Sequence, residues 1–148
     1  MEHQITIQPY EAKDASSIRA LLEKAGLPVS DLSQAKLSNF LVVHDEYRTV
    51  VGAVGIETYQ DVALLRSLVI KPQWQGKNIG RKMTAAIESY ARDHDIEKIY
   101  LLTTTEDRFF TKLCYEAVDR TTVPDAIAKT EEFQSICPLS AVCMSKYI

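Results

Sequence analysis

One stretch of the chain, residues 67–83, combines the end of a strand, a loop with two glycines and the start of a helix. The strand is apolar at residues 68–70 and ends before Pro72, which has no N–H to donate to a central ladder. The two loop glycines allow the main chain to turn tightly and to approach a ligand closely. From Ile79 the apolar residues recur at helical spacing, which predicts a helix to about His94.

Three cations crowd the first turn of this predicted helix. Lys77, Arg81 and Lys82 lie where the helix dipole is already positive and where main-chain N–H groups have no partner within the helix. This combination is typical of a site for an anion, most simply a phosphate or pyrophosphate. An ordinary basic turn on the surface is the alternative that the charges alone leave open.

Length and charge narrow the class of protein. The 148 residues, 46% hydrophobic and 25% charged, are expected to form one domain over residues 1–148. The formal net charge of −3 argues against nucleic acid as a partner. The first residues lack the features of a signal peptide, and no apolar run reaches the ~18 residues of a membrane helix. We therefore expect a cytoplasmic protein with no membrane partner.

The rest of the chain alternates between strand-like and helix-like segments. The second to fourth strands predict an antiparallel meander, in which Gly52 and Gly55 weaken the third strand unless a close neighbour requires them. The fifth strand follows a crossover helix and should run parallel to the fourth. The fold class is therefore mixed α/β, with strands predicted at 5–9, 40–44, 50–58, 62–70, 98–104, 117–121 and 141–147.

Further helices are predicted on either side of the loop. Asp14 is expected to cap the first, which Gly26 and Pro28 end. A weaker second helix runs to about residue 36. Two later helices span 106–114 and 124–133. The second helix is expected to be capped by Ser30 or Asp31.

The loop and the order of elements together resemble the GNAT superfamily of acyl-CoA-dependent N-acetyltransferases. The signature of that superfamily is Arg or Gln, two residues, Gly, one residue, and Gly or Ala. Gln75 and Gly80 match its ends, and Asn78 replaces its middle glycine. Asn tolerates left-handed φ better than most residues, so the turn is expected to survive the replacement.

Other segments extend the resemblance. Residues 109–115 resemble the later superfamily segment Phe-Tyr-x-x-x-Gly-Phe, with Phe110 and Cys114 in place of its Tyr and Gly. A narrower resemblance is to the GNAT proteins found with arsenic-resistance genes. It is carried by residues 62–68, 101–105 and 132–144.

The resemblance implies how the donor binds. It implies an antiparallel N-terminal half, a β-α-β core whose fourth and fifth strands splay apart, and acetyl transfer from acetyl-CoA to a primary amine. The pyrophosphate would bind the N–H groups of residues 75–81, the pantetheine arm would pair with the fourth strand, and the thioester would lie between Ile70 and residues 103–104. An N–H near Val69 or Ile70 would polarise the thioester carbonyl. The residues thus assigned to acetyl-CoA are Leu68, Val69, Ile70, Gln75, Gly76, Lys77, Asn78, Ile79, Gly80, Arg81, Thr104 and Phe110.

Transfer also requires two proton movements. Glu57 is the candidate base for the amine, and a solvated glutamate beside a hairpin turn is the alternative. In the superfamily that the chain resembles, the leaving thiolate often receives a proton from the Tyr that Phe110 replaces, and Phe110 cannot donate one. Cys114 is nearer the matched position and is the candidate acid, whereas the adjacent Tyr115 is expected to fill the core. The alternatives are that Cys114 is a small buried residue replacing glycine, and that solvent protonates the thiolate.

Arg66 is the candidate contact for the acceptor. It interrupts an apolar strand, where an unpaired charge is costly. A carboxylate, phosphonate or arsonate on a small acceptor could pair with it bidentately. A structural ion pair with Glu57, or with another acid on a neighbouring strand, is the alternative. Ser67 is expected on the opposite face, as a buried hydroxyl.

The remaining polar residues give weaker expectations. Cys114, Cys137 and Cys143 show no metal-ligand spacing, and buried free thiols are expected, with a thiolate site for trivalent arsenic as the alternative. His44 is expected at a solvated strand end. The sequence thus predicts a small-molecule N-acetyltransferase and no metal; a catalytically weak acyl-CoA-binding module or an arsenic-binding regulator is the alternative, and a homodimer is expected by resemblance.

Overall fold

The computed structural model describes residues 4–136 and 140–148. Its strands are β1 (Ile5–Pro9), β2 (Phe40–Asp45), β3 (Val50–Tyr59), β4 (Val62–Ile70), β5 (Lys98–Thr103), β6 (Glu116–Ala117) and β7 (Val142–Tyr147). Its α-helices are α1 (Ala15–Lys24), α2 (Gln34–Leu37), α3 (Ile79–Asp93), α4 (Asp107–Lys112) and α5 (Asp125–Ala128). None of the helices in these ranges is long and apolar enough to cross a membrane.

The strands form a mixed sheet in the order β1-β2-β3-β4-β5-β7-β6. The pairs β1–β2, β2–β3, β5–β7 and β6–β7 are antiparallel. β4 and β5 are parallel, with Val62 opposite Lys98 and Leu64 opposite Tyr100. The predicted mixed α/β fold with a parallel β4–β5 pair is confirmed.

The chain packs into two compact units. The first unit comprises the residues up to Ile56 together with Ser67–Tyr90, and the second comprises Glu57–Arg66 and Ala91–Ile148. The expectation of a single domain over residues 1–148 stays a prediction.

The first unit has its core between α1, α2 and the inward side of β2 and β3. Ile18 and Leu22 are one helical turn apart on α1 and are fully buried, together with Leu37 and Phe40. Gly26 ends α1 as predicted: its φ is 74°, its N–H donates to Glu23, and the Leu27 N–H donates to Leu22. These are the two hydrogen bonds of a Schellman motif.

Both predicted helix caps differ from the structure. Asp14 precedes α1, but its carboxylate accepts the N–H of Glu11, which lies before the helix, rather than an N–H of α1. Ser33, not Ser30 or Asp31, caps α2 by accepting the Lys36 N–H at 3.2 Å. A cap depends on the local main-chain path, which residue type alone does not determine.

The sequence predicted that Gly52 and Gly55 weaken β3 unless a close neighbour requires glycine. Both glycines have such a neighbour. A Cβ on Gly55 would lie 2.6 Å from Cζ of Phe40 and closer still to two other atoms of that ring. A Cβ on Gly52 would lie 2.9 Å from the carbonyl oxygen of Val69. Glycine at these positions lets β3 approach an aromatic ring and a neighbouring main chain.

The second unit is built on the β5–β7 pair and a core that includes Leu64, Ile127 and Phe133. The predicted sixth strand is wrong beyond Ala117. Residues 120–122 form a 3-10 turn because the Asp119 carboxylate accepts the Thr121 N–H at 2.8 Å. The helix predicted at 124–133 is also interrupted: α5 is short, and a π-helical turn, Glu132–Ile136, follows it.

Candidate active site

The loop between β4 and α3 is fixed at its start by main-chain and side-chain hydrogen bonds. The Lys71 N–H donates to the Val51 carbonyl at 2.8 Å. Pro72–Trp74 form a 3-10 turn, and the Gln75 side chain donates to the Ile70 carbonyl at 3.0 Å. The loop therefore leaves β4 along a defined path.

Two residues of the loop adopt left-handed main-chain angles. Gly76 has φ 78° and Asn78 has φ 61°. The expectation that Asn tolerates the conformation of the missing glycine agrees with this geometry. Where left-handed residues alternate with right-handed ones, successive N–H groups point to one side and form a concave site that suits an anion.

Within the described residues, six consecutive N–H groups of this loop lack a hydrogen-bond acceptor. The Gln75 N–H donates to Pro72 at 3.2 Å and the Lys82 N–H donates to Asn78 at 3.2 Å. Between them, the N–H groups of residues 76–81 have no acceptor in the part of the chain that the structure describes. The side chains of Lys77, Arg81 and Lys82 are exposed around them. The loop therefore presents main-chain dipoles and positively charged side chains, both of which favour an anion.

The strand before the loop contains an irregularity at Ser67. Its φ is 61°, although residues 62–70 are otherwise extended. Arg66 and Ser67 are both buried, at 2% and 8% exposure, so Ser67 is buried as expected, and its placement on the face opposite Arg66 stays a prediction. Val69 is buried, and Leu68 and Ile70 are half-buried. A left-handed residue inside a strand locally rotates the chain, as in a bulge.

Arg66 is part of a buried polar cluster in the second unit. Its Nη1 donates to Oε2 of Glu57 at 2.8 Å, and its Nε lies 3.6 Å from Oε1 of Glu132. The other oxygen of Glu57 accepts the Tyr59 hydroxyl at 2.6 Å. The side chains of Arg66, Glu57 and Glu132 are 0%, 6% and 5% exposed. The ion pair with Glu57, one of the two alternatives for Arg66, is thus present.

Two members of this cluster were missed from the sequence. Tyr59 follows Glu57 at a spacing of two on β3, so the alternation of a strand could have placed them on one face. Glu132 lies on the π-helical turn, far along the chain, and no periodic pattern connects it to β4. The alternative of a solvated Glu57 is wrong, because the side chain is buried.

Cys114 and its neighbours form the end of α4. Cys114 has φ 73°, its N–H donates to Thr111, and the Tyr115 N–H donates to Phe110, which is a second Schellman motif. Phe110 and Tyr115 are buried, with their ring centroids 5.4 Å apart. Cys114 occupies a glycine-like conformation, as its alignment with the motif glycine suggests, but the expectation that it is buried is wrong.

Of the other two cysteines, the structure describes Cys143. Cys143 is buried, and burial raises the pKa of its thiol to about 11. Cys137 lies outside the described residues. Within residues 4–136 and 140–148, no group of three His, Cys, Asp or Glu residues could hold a metal ion.

Two other expectations can be placed in the structure. Thr104 is exposed just after β5, and the hydroxyl of the preceding Thr103 accepts the Glu106 N–H at 2.9 Å.

His44 is not at a solvated strand end: it is 7% exposed, and its Nε2 lies 3.1 Å from Oδ1 of Asp14. The prediction for His44 is wrong because a carboxylate before α1, distant in sequence, covers the end of β2.

Several solved structures share this fold. N-acetylglutamate synthase from Neisseria gonorrhoeae, complexed with coenzyme A and N-acetyl-glutamate, has a TM-score of 0.83 and 19% identity; the match covers 99% of this chain and 36% of that one. Rv2747 from Mycobacterium tuberculosis, in complex with CoA and NLQ, has a TM-score of 0.82 and 19% identity. That match covers 97% of this chain and 99% of Rv2747. Arabidopsis thaliana Naa50, in complex with the bisubstrate analogue CoA-Ac-MVNAL, has a TM-score of 0.72 and 15% identity. That match covers 97% of this chain and 99% of Naa50.

These similarities describe the fold, and the chain spans only about a third of the length of the synthase chains that it matches, 36% and 34%. The family is shown by sequence. The model of the acetyltransferase (GNAT) family matches residues 6–117, which is most of the chain. The protein therefore belongs to the acetyltransferase (GNAT) family.

Proposed function

We propose that the protein transfers the acetyl group of acetyl-CoA to the primary amine of a small, anionic, amino-acid-like acceptor. The expectation of an acetyltransferase that uses acetyl-CoA is confirmed at the level of the family. The observation that carries the proposal for this chain is the run of acceptor-free N–H groups at residues 76–81 beside three exposed cations.

The loop is proposed to bind the pyrophosphate of acetyl-CoA. The N–H groups from Gly76 to Arg81 donate to the phosphate oxygens, and Lys77, Arg81 and Lys82 balance the charge. Because the Gln75 N–H is engaged within the 3-10 turn, donation begins at Gly76 rather than at Gln75. The pantetheine arm then follows Leu68–Ile70.

The chemical step is proposed to depend mainly on positioning. A main-chain N–H near Val69 or Ile70 polarises the thioester carbonyl as negative charge develops on its oxygen. A neutral amine held against that carbonyl attacks it, and the C–S bond to CoA breaks. Thr104 and Phe110 stay proposed contacts of acetyl-CoA.

The protons are assigned to Glu57 and Cys114. Glu57 takes the amine proton on one of its oxygens: each already accepts a hydrogen bond, from Tyr59 or from Arg66, and has a second lone pair. Cys114 is exposed and is the candidate donor to the CoA thiolate; solvent is the alternative donor. Replacing Cys114 by alanine distinguishes them, since kcat falls only if the thiol is the donor.

Arg66 is proposed to bind the acid group of the acceptor. A guanidinium presents a planar fork of donors that suits a carboxylate, phosphonate or arsonate. The bound N-acetyl-glutamate of the Neisseria gonorrhoeae synthase supports an acceptor of this class. The match is to about a third of that protein, so the class is a proposal and the individual acceptor is to be found by assay.

Two variants at one position test the donor site. Asn78→Gly keeps the N–H and the left-handed angle, so the affinity for CoA measured by calorimetry should stay within about 3-fold. Asn78→Pro removes one N–H and forces φ to about −65°, so binding should weaken at least ~10-fold. If Asn78→Pro is folded by circular dichroism and binds CoA as tightly as the wild type, the loop does not hold the pyrophosphate.

A panel of acceptors tests the reaction. Acetyl-CoA is supplied with acidic, neutral and basic amines, including amino-phosphonates and amino-arsenicals, and the release of free thiol is measured. We expect turnover with acidic amino acids. CoA binding without thiol release from any amine would instead support the catalytically weak binding module.

We also propose, from the resemblance of three segments, a link to arsenic resistance. It predicts that an amine carrying an arsonate group is acetylated faster than its carboxylate analogue. Binding of trivalent arsenic by thiolates is a separate prediction, and the buried, high-pKa thiol of Cys143 disfavours it. Equal binding of trivalent arsenic by the wild type and a cysteine-free variant would refute the thiolate site. The homodimer and the cytoplasmic location stay predictions, the former testable by light scattering.

A further inference from the structure

A cavity of about 400 Å³ lies in the first unit, at the β1 edge of the sheet. Its volume falls in the range of small-molecule sites, ~300–1,000 Å³. Thr6 of β1 lies opposite His44 of β2, and both line the cavity, as does Gln8 two residues along β1. Every lining residue has a polar or charged side chain, so the cavity suits a polar ligand. It shares no residue with the loop between β4 and α3 or with the cluster around Arg66.

His44 differs from the rest of the cavity lining in being buried. It is 7% exposed, whereas Asp45 is half-buried and the other lining residues are exposed. Its Nε2 lies 3.1 Å from Oδ1 of Asp14. An ionised carboxylate only accepts hydrogen bonds, so in the neutral imidazole the proton is on Nε2 and Nδ1 is an acceptor.

The Nδ1 atom of His44 is buried and has no hydrogen-bond partner in the part of the chain that the structure describes. Most buried side-chain polar atoms in proteins do have one, because an unpaired polar atom loses its bond to water and gains nothing in return. A donor from outside the described chain would complete the ring's hydrogen bonds. The cavity that the ring lines is the place from which such a donor can come.

Side-chain hydrogen bonds to the main chain hold both ends of the lining in place. The Asp14 carboxylate, besides contacting His44, accepts the Glu11 N–H at 3.2 Å. On the hairpin after β2, Oδ1 of Asp45 accepts the N–H groups of Tyr47 and Thr49, both at 2.9 Å. The cavity is therefore formed before a ligand binds, and less ordering is required on binding.

The charges around the cavity favour a cation. Three carboxylates and two cations line it: Glu11, Asp45, Glu46, Lys13 and Arg48. The Nζ of Lys13 lies 3.2 Å from Oε2 of Glu11, so these two charges offset each other. Of the remaining three, two are negative, and the carboxylate of Asp14 at His44 adds one more. A ligand that donates a hydrogen bond and carries positive charge meets both requirements.

We propose that this cavity is a second ligand site, which binds a small molecule through a primary ammonium group. The ammonium donates to Nδ1 of His44 and lies among the carboxylates of the lining. A hydroxyl donates to Nδ1 without the charge interaction, and a carboxylate cannot donate at all, so neutral and anionic ligands bind more weakly. The site does not depend on the proposed function, because none of its residues has a part in acetyl transfer.

An NMR titration at about pH 8 with three four-carbon probes tests the class of ligand: 1,4-diaminobutane, 1,4-butanediol and succinate. We expect diaminobutane to shift the Thr6 amide and the His44 ring signals in a saturable way, with a Kd in the millimolar range, and the diol and succinate to leave them in place. No shift at these signals up to ~50 mM diaminobutane, or equal shifts with either other probe, overturns the proposal. Shifts confined to Arg66 and residues 76–81 would place the amine elsewhere and also overturn it.

Variants test the role of His44. His44→Gln keeps an amide N–H that can reach Asp14 but has no ring Nδ1, so diaminobutane should bind at least ~5-fold more weakly. His94→Gln, at an exposed histidine outside the cavity, is the control and should bind as the wild type does. Unchanged affinity in folded His44→Gln overturns the proposal.

A second pair of variants serves if His44→Gln does not fold. Glu46→Gln removes a charge from an exposed lining residue and should weaken diaminobutane binding about 2- to 5-fold. Glu23→Gln, on the exposed side of α1 and outside the cavity, should not. Equal affinity in Glu46→Gln and Glu23→Gln overturns the proposal. Each of these measurements is of binding, so a failure of the proposed acetyl transfer would appear separately, as absent thiol release.

Discussion

Replacing Gly55 by alanine would place a methyl group against the ring of Phe40. The new Cβ would lie 2.6 Å from Cζ and closer to Cε1 and Cδ1, whereas carbon atoms prefer ~3.5–4.0 Å. Phe40 is 1% exposed and packs in the core with Ile18, Leu22 and Leu37, so its ring has little room to move. One of the two strands must therefore shift, or the ring must leave its rotamer.

The expected cost follows from this overlap. Overpacking a core destabilises by about 1–3 kcal/mol, and an overlap of this size belongs at the upper end. Alanine also restricts the unfolded chain, which returns about 0.4–1 kcal/mol. We expect the free energy of unfolding to fall by about 2–3 kcal/mol, and Tm to fall by roughly 5–10 °C.

Urea denaturation followed by circular dichroism measures this change, with Gly26→Ala as the control. A Cβ on Gly26 meets nothing within 4 Å, so that variant carries only the strain of its φ of 74°, about 1–2 kcal/mol. In the double variant Gly55→Ala/Phe40→Leu the smaller side chain should restore part of the loss. If Gly55→Ala is as stable as the wild type, or if Phe40→Leu adds its full cost to that of Gly55→Ala, the steric argument is wrong.

Three further predictions concern the polar cluster and two cysteines. Glu57→Gln leaves Arg66 without its closest charge partner and should cost about 3 kcal/mol of unfolding free energy in urea titrations; a loss below 1 kcal/mol would contradict this. Cys114→Gly should raise the free energy of unfolding by about 1 kcal/mol, because glycine adopts φ 73° without strain, and a decrease would show that the thiol makes a stabilising contact. Burial raises the pKa of Cys143 from 9.0 to about 11, so the unfolded chain loses this proton first and stability should fall as pH rises above 9. Cys143→Ala should flatten that slope between pH 8 and 10, and equal slopes would exclude the thiol as its cause.

The elements that the sequence predicted well are those with a long periodic signal. α3 begins at Ile79 as expected, because its apolar residues repeat over several turns, and β4 ends at Ile70 before a proline. The end of α1 near Gly26 was also predicted, because glycine commonly adopts the left-handed angle that follows a helix.

The failures involve contacts between residues that are distant in the chain. The burial of His44 depends on Asp14, and the surroundings of Arg66 depend on Glu132, and neither pair leaves a pattern in sequence. The short β6 instead fails for a local reason, since Asp119 forms a side-chain turn that competes with the strand. The path of the loop between β4 and α3 was accordingly more predictable than the surroundings of Arg66.

The N–H groups of residues 76–81 also bear on how such a protein tolerates mutation. A main-chain donor is carried by every residue except proline, so most substitutions in the loop preserve it as long as the φ angles are preserved. Asn78 in place of the motif glycine is one such substitution, since its φ of 61° keeps the turn. The proposed anion site therefore depends on conformation more than on side chains, and it can persist in chains whose sequences have diverged almost completely.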